Sequence, residues 1–395
     1  MSRAESWAYL SRVIEGPSLA LQQMLRAGRD ADEIAGGVRR RASWLGPLAA
    51  ETETRHSWDR PSEDLAEAAV SGFSLLTPEC DGWPADQIHQ AFDLGVSASL
   101  ANQEPFRDRG VAPHALWVRG NTDLAALFAR SVGMVGTRAS TAYGHHAVAD
   151  LAKGLAARQY TIVSGGALGI DSVAHETALA HGTPTAVVAA CGPGVAYPRR
   201  NAALFDTIAE RGGAVLTEYP PGITPDRHRF LTRNRLVAAL TQGTVVVEAA
   251  FRSGALNTLS WVNYYRRRPM AVPGPILGPG SLGTNLAIRD GKAAMALSAE
   301  DIHEMLSRVG EVDTDGQREL DFAADPVQSL SANELRVYDA LPASAPSGAS
   351  AEQVARRAGL TVALAVHLLV DLTKRGLVRR EGTEWKRVPG GAGQE

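Results

Sequence analysis

Between residues 131 and 308 six short apolar runs alternate with longer segments whose apolar side chains return every three or four positions. The runs are Val132–Val135, Thr161–Val163, Thr185–Ala190, Ala214–Leu216, Thr244–Val247 and Met270–Val272. Strand-length runs separated by helix-length segments point to βαβ units, because parallel strands need a crossover connection between them. Runs that are apolar throughout, rather than alternating with polar residues, belong to a sheet covered on both faces. The expected fold is therefore α/β, a Rossmann-like parallel sheet with helices on both faces.

The flanks read differently. Over residues 1–72, Leu10, Val13, Ile14, Leu19, Leu21, Met24 and Leu25 recur at helical spacing, which predicts a small helical bundle. The run Arg39-Arg40-Arg41 at its centre either touches a nucleic-acid backbone or is simply solvated. Residues 73–130, with Leu75, Leu76, Trp83 and Ala115–Val118, lead into the sheet, so one domain is expected over 73–308. Residues 310–329 hold six acids and the single base Arg318, and 309–330 reads as an acidic linker. Three helical segments follow, Ala332–Leu341, Ala351–Ala358 and Val362–Arg375, with Ser350 and Thr361 placed as caps and Gly376 as a stop. The tail from Leu377 to Val388 alternates around a Glu-Gly-Thr turn as a hairpin does. Helices plus hairpin predict a winged-helix domain over 331–388, with helical flank (1–72), sheet domain and linker before it.

The 395 residues carry 40 Lys+Arg against 43 Asp+Glu, a formal charge of −3, so a polyanion partner must meet a local patch. Only Lys153, Lys292, Lys374 and Lys386 are lysines, so the position of the arginines matters more than their number. Cys80 and Cys191 have no partner at metal spacing, and no metal site is expected. The start lacks a cationic region followed by an apolar core, and no apolar run is long enough to span a bilayer, so a cytoplasmic protein without membrane contact is expected.

In a sheet of this class ligands bind where strands end and helices begin, since helix N-termini offer unpaired N–H groups. Four such turns are specialised: Gly136-Thr137-Arg138; Ser164-Gly165-Gly166 running on to Asp171; Cys191 to Gly194 with Tyr197-Pro-Arg199-Arg200-Asn201; and Phe251-Arg252-Ser253-Gly254. Glycine lets a backbone approach an oxyanion closely, and hydroxyls add donors. Four turns on one sheet edge form a row of phosphate-sized sites, which suits a ligand with several phosphates. The segment Pro225 to Arg235 adds Arg227, Arg229, Arg233 and Arg235 around Phe230 and Asn234, before a helix expected from about 234. Arginine forks with an exposed ring are what single-strand binders use. Phe230 is either a stacking ring or a core ring, and Arg233 and Arg235 either hold phosphates or fasten the segment to the sheet.

Asp171 and His175, four residues apart, are either an acid/base pair or a helix cap beside a hydrogen-bonded histidine. His145 and His146 are adjacent and cannot share a metal from one helix face. No Gly-x-Ser-x-Gly, Walker or His-Glu-x-x-His sequence occurs. No catalytic residue and no cofactor is expected.

The ordered series Val135-Gly-Thr-Arg138, Ser164 to Asp171, Tyr197 to Asn201, Leu216-Thr-Glu218, Phe230 to Arg235, Val247-Glu-Ala249, Ser253-Gly254 and Ala271-Val-Pro-Gly274 resembles the DNA-processing protein A (DprA) family. The resemblance covers about 73–300, and the helical (SAM-like) and winged-helix flanks are similar to appendages of many members. It implies a non-enzymatic, dimeric protein that binds single-stranded DNA, protects incoming DNA and helps load the RecA recombinase in natural transformation. It also implies a pocket including Arg138, Arg227 and Phe230. Two departures stand out: Gly194 where many members have Asp, and Leu231 after Phe230 where many have Pro. A different reading is a Rossmann-like phosphoribohydrolase or nucleotide-binding enzyme built on Glu248, although Gln242 to Glu248 runs straight into an apolar strand rather than a glycine-rich loop. A third is a scaffold that binds only proteins.

Overall fold

A computed structural model of the chain describes residues 2–103, 106–307, 327, 330–342 and 348–388, in two compact units, Met1–Val312 and Asp313–Glu395. The linker expected over 309–330 lies outside the described residues except for Val327 and Leu330.

The first unit begins with α1 (Arg3–Ile14), α2 (Leu19–Arg26), α3 (Ala31–Arg40), α4 (Pro47–Glu51) and α5 (Pro61–Val70). Trp7, Leu10, Val13 and Ile14 of α1 close over Ile34, Val38, Leu45 and Leu48. Arg39 forks onto Asp59 and lies over the Tyr9 ring, and Arg41 donates to the Ala49 carbonyl, so two members of the arginine run serve the bundle itself.

The six apolar runs become β3 to β8, joined by three further strands. In chain order these are β1 (Phe73–Leu76), β2 (Leu116–Gly120), β3 (Ser131–Val135), β4 (Thr161–Ser164), β5 (Thr185–Val188), β6 (Ala214–Thr217), β7 (Gly243–Val246), β8 (Arg268–Ala271) and β9 (Ala294–Met295). They form one sheet in the order β1-β2-β6-β5-β4-β3-β7-β8-β9. Every pairing from β6 through β9 is parallel, whereas β1 and β2 add an antiparallel edge. Trp117 of β2 is fully buried beneath Ala8 and Ala68, and its indole N–H donates to Ser11 Oγ at 3.0 Å, so the bundle packs on that edge.

The remaining helices of this unit are α6 (Ala85–Ile88), α7 (Phe106–Arg109), α8 (Leu124–Ala129), α9 (Ala142–Ala157), α10 (Ile170–Ala180), α11 (Ala202–Glu210), α12 (Arg227–Ala239), α13 (Gly254–Tyr264), α14 (Leu282–Arg289) and α15 (Ala299–Leu306). Strand side chains alternate between faces. Val132 and Met134 pack with Leu151, Ile170 and Ile302 of α9, α10 and α15, while Val135 packs with Leu236, Trp261 and Phe128 of α12, α13 and α8.

Strand order runs one way from β3 to β6 and the other way from β7 to β9, so the connections leaving β3 and β7 part and open a crevice at their C-terminal ends. Helix α12 is the connection that returns from β6 over three strands to β7. It starts at Arg227 rather than near 234, with Asp226 Oδ1 accepting the His228 N–H at 3.0 Å. Its buried face includes Arg233 and Arg235, so the apolar period that marks a helix in sequence is absent there.

The second unit contains α16 (Ala332–Asp339), β10 (Ala349–Ser350), α17 (Ala351–Ala358), α18 (Val362–Lys374), β11 (Val378–Glu381) and β12 (Glu384–Arg387), with sheet order β10-β12-β11. Ser350 Oγ accepts from Gln353 N and Thr361 Oγ1 from Leu364 N, and Gly376 takes φ +73° just past α18. Val337, Leu369, Leu372 and Trp385 form its core. Among the described residues no single helix is long and apolar enough to cross a membrane.

Two histidines of the first unit are held neutral by burial. His114 is pulled down to about 4, with the Arg235 charge adding to the effect, and His175 to about 3, with Arg233 adding. An unfolded histidine takes its proton near pH 6.5. Below that pH the unfolded state gains protons that the native state does not, so stability present above pH 6.5 is lost as pH falls toward 4. Each histidine should cost about 2 kcal/mol by pH 5. Melting temperature should therefore drop between pH 6.5 and 4.5, less steeply in His175→Gln, and a flat profile would contradict this assignment.

Candidate functional site

A cavity of about 890 Å³ opens at the C-terminal ends of β3 and β7, between α12 and α13. Its floor is the turn Gly136-Thr137-Arg138 with Gly165. Side chains force glycine at two of these places. A Cβ on Gly136 would lie 2.5 Å from Ile170 Cγ1, and one on Gly165 2.3 Å from Arg233 Nη1. Arg227, Phe230 and Asn234 of α12 form one wall, and Arg252, Ser253, Gly254 and Asn257 the other. Ser253 caps α13, accepting the Ala255 N–H at 3.3 Å, and Asn234 Nδ2 donates to Asn257 Oδ1 at 3.2 Å across the gap.

Phe230 is half-buried in this wall, not in the apolar core. Its ring centroid lies 5.5 Å from that of exposed Tyr197, and the Arg138 guanidinium sits 5.1 Å from it. The lining carries four arginines (138, 227, 233, 252) against two aspartates (171, 226). Among the described residues no carboxylate pairs with Arg138, Arg227 or Arg252. Arg233 is buried at the base, donating to the Val188 carbonyl. Burial lowers its pKa and raises that of Asp171, and each charge partly offsets the other's shift.

The cavity thus gathers Gly136, Thr137, Arg138, Gly165, Arg227, Phe230, Arg233, Asn234, Ser253 and Gly254. Five expected site residues lie elsewhere. Ser164 is fully buried and donates to the Met134 carbonyl at 2.5 Å. Gly166 is packed against Phe205 and Val187, and Asn201 is spent bracing its turn, donating to Gly166 O at 2.9 Å and Ser172 Oγ at 2.8 Å. Arg199 is exposed outside the lining. Arg235 is fully buried outside the lining and forks onto Glu218 at 2.5 and 2.6 Å, fastening the segment to the end of β6. Tyr197 and Arg252 also line the cleft; both belong to the specialised turns, one as an exposed aromatic and one as an arginine next to Ser253, although neither is among the expected contact residues.

The enzyme-like groups do not converge. His175 Nδ1 faces Thr185 Oγ1 at 2.6 Å, away from Asp171, which accepts the Ala167 N–H at 3.3 Å. Glu248 is buried and accepts from both Thr141 N and Thr141 Oγ1 at 2.9 Å, holding the start of α9.

The sequence model of the family described as DNA recombination-mediator protein A matches residues 103–307. The chain is 40% identical over 391 residues to the putative DNA processing protein DprA of Mycobacterium tuberculosis, covering 99% of this chain and 96% of that protein. It is 39% identical over 191 residues to the DNA processing protein DprA of Streptococcus pneumoniae, covering 48% of this chain and 66% of that one. The X-ray structure of the Streptococcus pneumoniae DNA processing protein A matches with a TM-score of 0.60 and 28% identity, over 77% of this chain and 98% of that one.

The cleft geometry separates arginines of the same sequence segment. Arg235→Ala leaves the Glu218 carboxylate buried and unpaired and should cost about 3–5 kcal/mol of stability. Arg138→Ala breaks no ion pair and should stay within about 0.5 kcal/mol of wild-type. Chemical denaturation of the two variants checks this, and equal losses would contradict it.

Proposed function

The chain belongs to the DNA recombination-mediator protein A family, and from that membership we propose that the cleft of its sheet unit binds single-stranded DNA. The observation that carries this reading is Phe230, half-buried beside Tyr197 with the Arg138 guanidinium 5.1 Å from its ring, in a cleft where Arg138, Arg227 and Arg252 have no carboxylate partner among the described residues. Unpaired arginines hold phosphates, and a ring free on one side stacks an unpaired base. A duplex offers its phosphates but keeps its bases stacked, so the ring favours single strands. Gly136, Thr137, Gly165, Asn234, Ser253 and Gly254 supply close backbone approach and neutral donors, and Arg233 shapes the floor.

In this reading the protein shields incoming single strands and passes them to the RecA recombinase in natural transformation, acting as a homodimer and not as an enzyme. The separate partners of Asp171, His175 and Glu248 support the last point, and Asp226, the other carboxylate of the lining, is engaged as the cap of α12 by the His228 N–H. The unit after the linker is read as a winged helix, and Arg199 as an outlying contact on the strand's path.

Affinity of the full chain for oligo-dT should fall steeply with salt, with a log–log slope of about −0.7 per phosphate contact. Duplex of equal length should bind more weakly. Arg138→Ala should lose about 1.5–3 kcal/mol of binding, the range for hydrogen bonds to charged groups. Phe230→Ala should lose about 1–3 kcal/mol, while Phe230→Trp keeps most of the affinity. Fluorescence anisotropy across a salt series reads all of these, and salt-independent binding or equal affinity for duplex would sink the proposal.

A further inference from the structure

The start of α12, which carries Arg227 and Phe230 into the cleft, is gripped from its other side by the N-terminal helices. Glu15, the residue that ends α1, accepts from Arg229 Nε at 2.8 Å and Nη2 at 2.6 Å through one carboxylate oxygen. Its other oxygen accepts from Arg55 Nη1 at 2.7 Å, and Arg55 in turn donates to the Val13 and Ile14 carbonyls at the end of α1. Arg229 completes the grip by donating Nη1 to the Thr224 carbonyl at 2.7 Å. A second tie lies nearby, where Arg12, forked onto buried Asp64, donates to the Pro221 carbonyl at 2.9 Å. The chain from Pro221 to Arg229 is thus fixed at three points by side chains of the helical bundle or anchored to it.

The backbone at Glu15 adds an independent sign. It sits at φ +54°, a left-handed conformation that favours glycine, and the next residue, Gly16, is also left-handed at φ +106°. A glycine at position 15 would relieve that conformation but forfeit the carboxylate. The glutamate is offset by what its side chain does, and that is to bridge two arginines while only about a tenth exposed.

We propose that Glu15 is a positioning residue for the cleft, through which the N-terminal helices preorganise the first turn of α12 for single-stranded DNA. The inference rests on the reading of the cleft given above. On the cleft side the turn has only exposed contacts among the described residues, Asp226 with His228 and the Phe230 ring against Tyr197 and Arg138, so its buried anchor is the one that Glu15 supplies. Farther along, the helix is held by Arg233, Arg235 and Leu236. Holding Arg229 therefore decides whether Arg227 and Phe230 are ordered before DNA arrives or must be ordered by it, at a cost in affinity.

Charge alone and positioning predict opposite results for Glu15→Gln. Removing an acid near a polyanion site should tighten binding by electrostatics. Loss of positioning should weaken it, by roughly tenfold, the middle of the range for coupled side chains. The experiment measures the affinity of the full chain for oligo-dT in wild-type, Glu15→Gln, Arg229→Gln and the double variant, with melting temperature and amide exchange of residues 227–230. Weaker binding in both single variants, a double variant no worse than either, and faster exchange confined to the first turn of α12 are expected. Glu15→Gln binding as tightly as wild-type, or more so, overturns the proposal. Should Glu15→Gln fail to fold, Arg229→Gln breaks the same bridge, and unchanged affinity there overturns it equally. A wild-type chain that does not bind oligo-dT at low salt instead defeats the single-strand reading itself.

Discussion

The buried fork between Arg235 and Glu218 fixes the crossover on which the cleft depends. Two charges removed from water are tolerated only when well paired, and here the two terminal guanidinium nitrogens each meet one carboxylate oxygen, at 2.5 and 2.6 Å. Glu218 follows β6 directly, so the pair ties α12 to the strand it has just left. Once that helix is clamped, its spacing does the rest. Arg233 drops onto the end of β5, and Arg227, Phe230 and Asn234, three and four residues apart, share the side facing α13. The switch in strand order opens the crevice, and the clamped crossover lines one side of it.

Pairing, more than number, distinguishes the arginines of this chain. Arg12, Arg39, Arg55, Arg60, Arg119, Arg158, Arg229 and Arg235 each meet a carboxylate. Those around the cleft mouth do not among the described residues, so a chain of net charge −3 still presents a local positive field. The field is focused by low-dielectric walls of Phe230, Tyr197 and Leu231, the combination a flexible polyanion with exposed rings needs.

The parallel body of the sheet was legible because β3 to β8 coincide with short apolar runs, several of them ended by glycine turns, a pattern that survives without tertiary information. The turns were legible as turns. What they do with their side chains was not: Ser164 and Asn201 look as available in sequence as Thr137 and Ser253, yet the first two satisfy buried carbonyls and only the latter two reach the cleft. Likewise Arg227, Arg233 and Arg235 are one residue type in one segment, and the strand order assigns them to solvent, floor and core. The early start of α12 was hidden because arginines fill positions where a helix normally shows leucines. Glu15 lay beyond local pattern altogether, 214 residues from its partner Arg229.

The central claim, that single strands lie across α12 with a base against Phe230, is most directly tested by photo-crosslinking the full chain to oligo-dT carrying a single 4-thiothymidine, followed by peptide mapping. The account predicts adducts in the peptides holding Phe230 and Tyr197, suppressed by raised salt and by unlabelled single strand but not by duplex. Adducts confined to the helices of residues 2–72 or to residues 331–388, with none in the cleft, would contradict it.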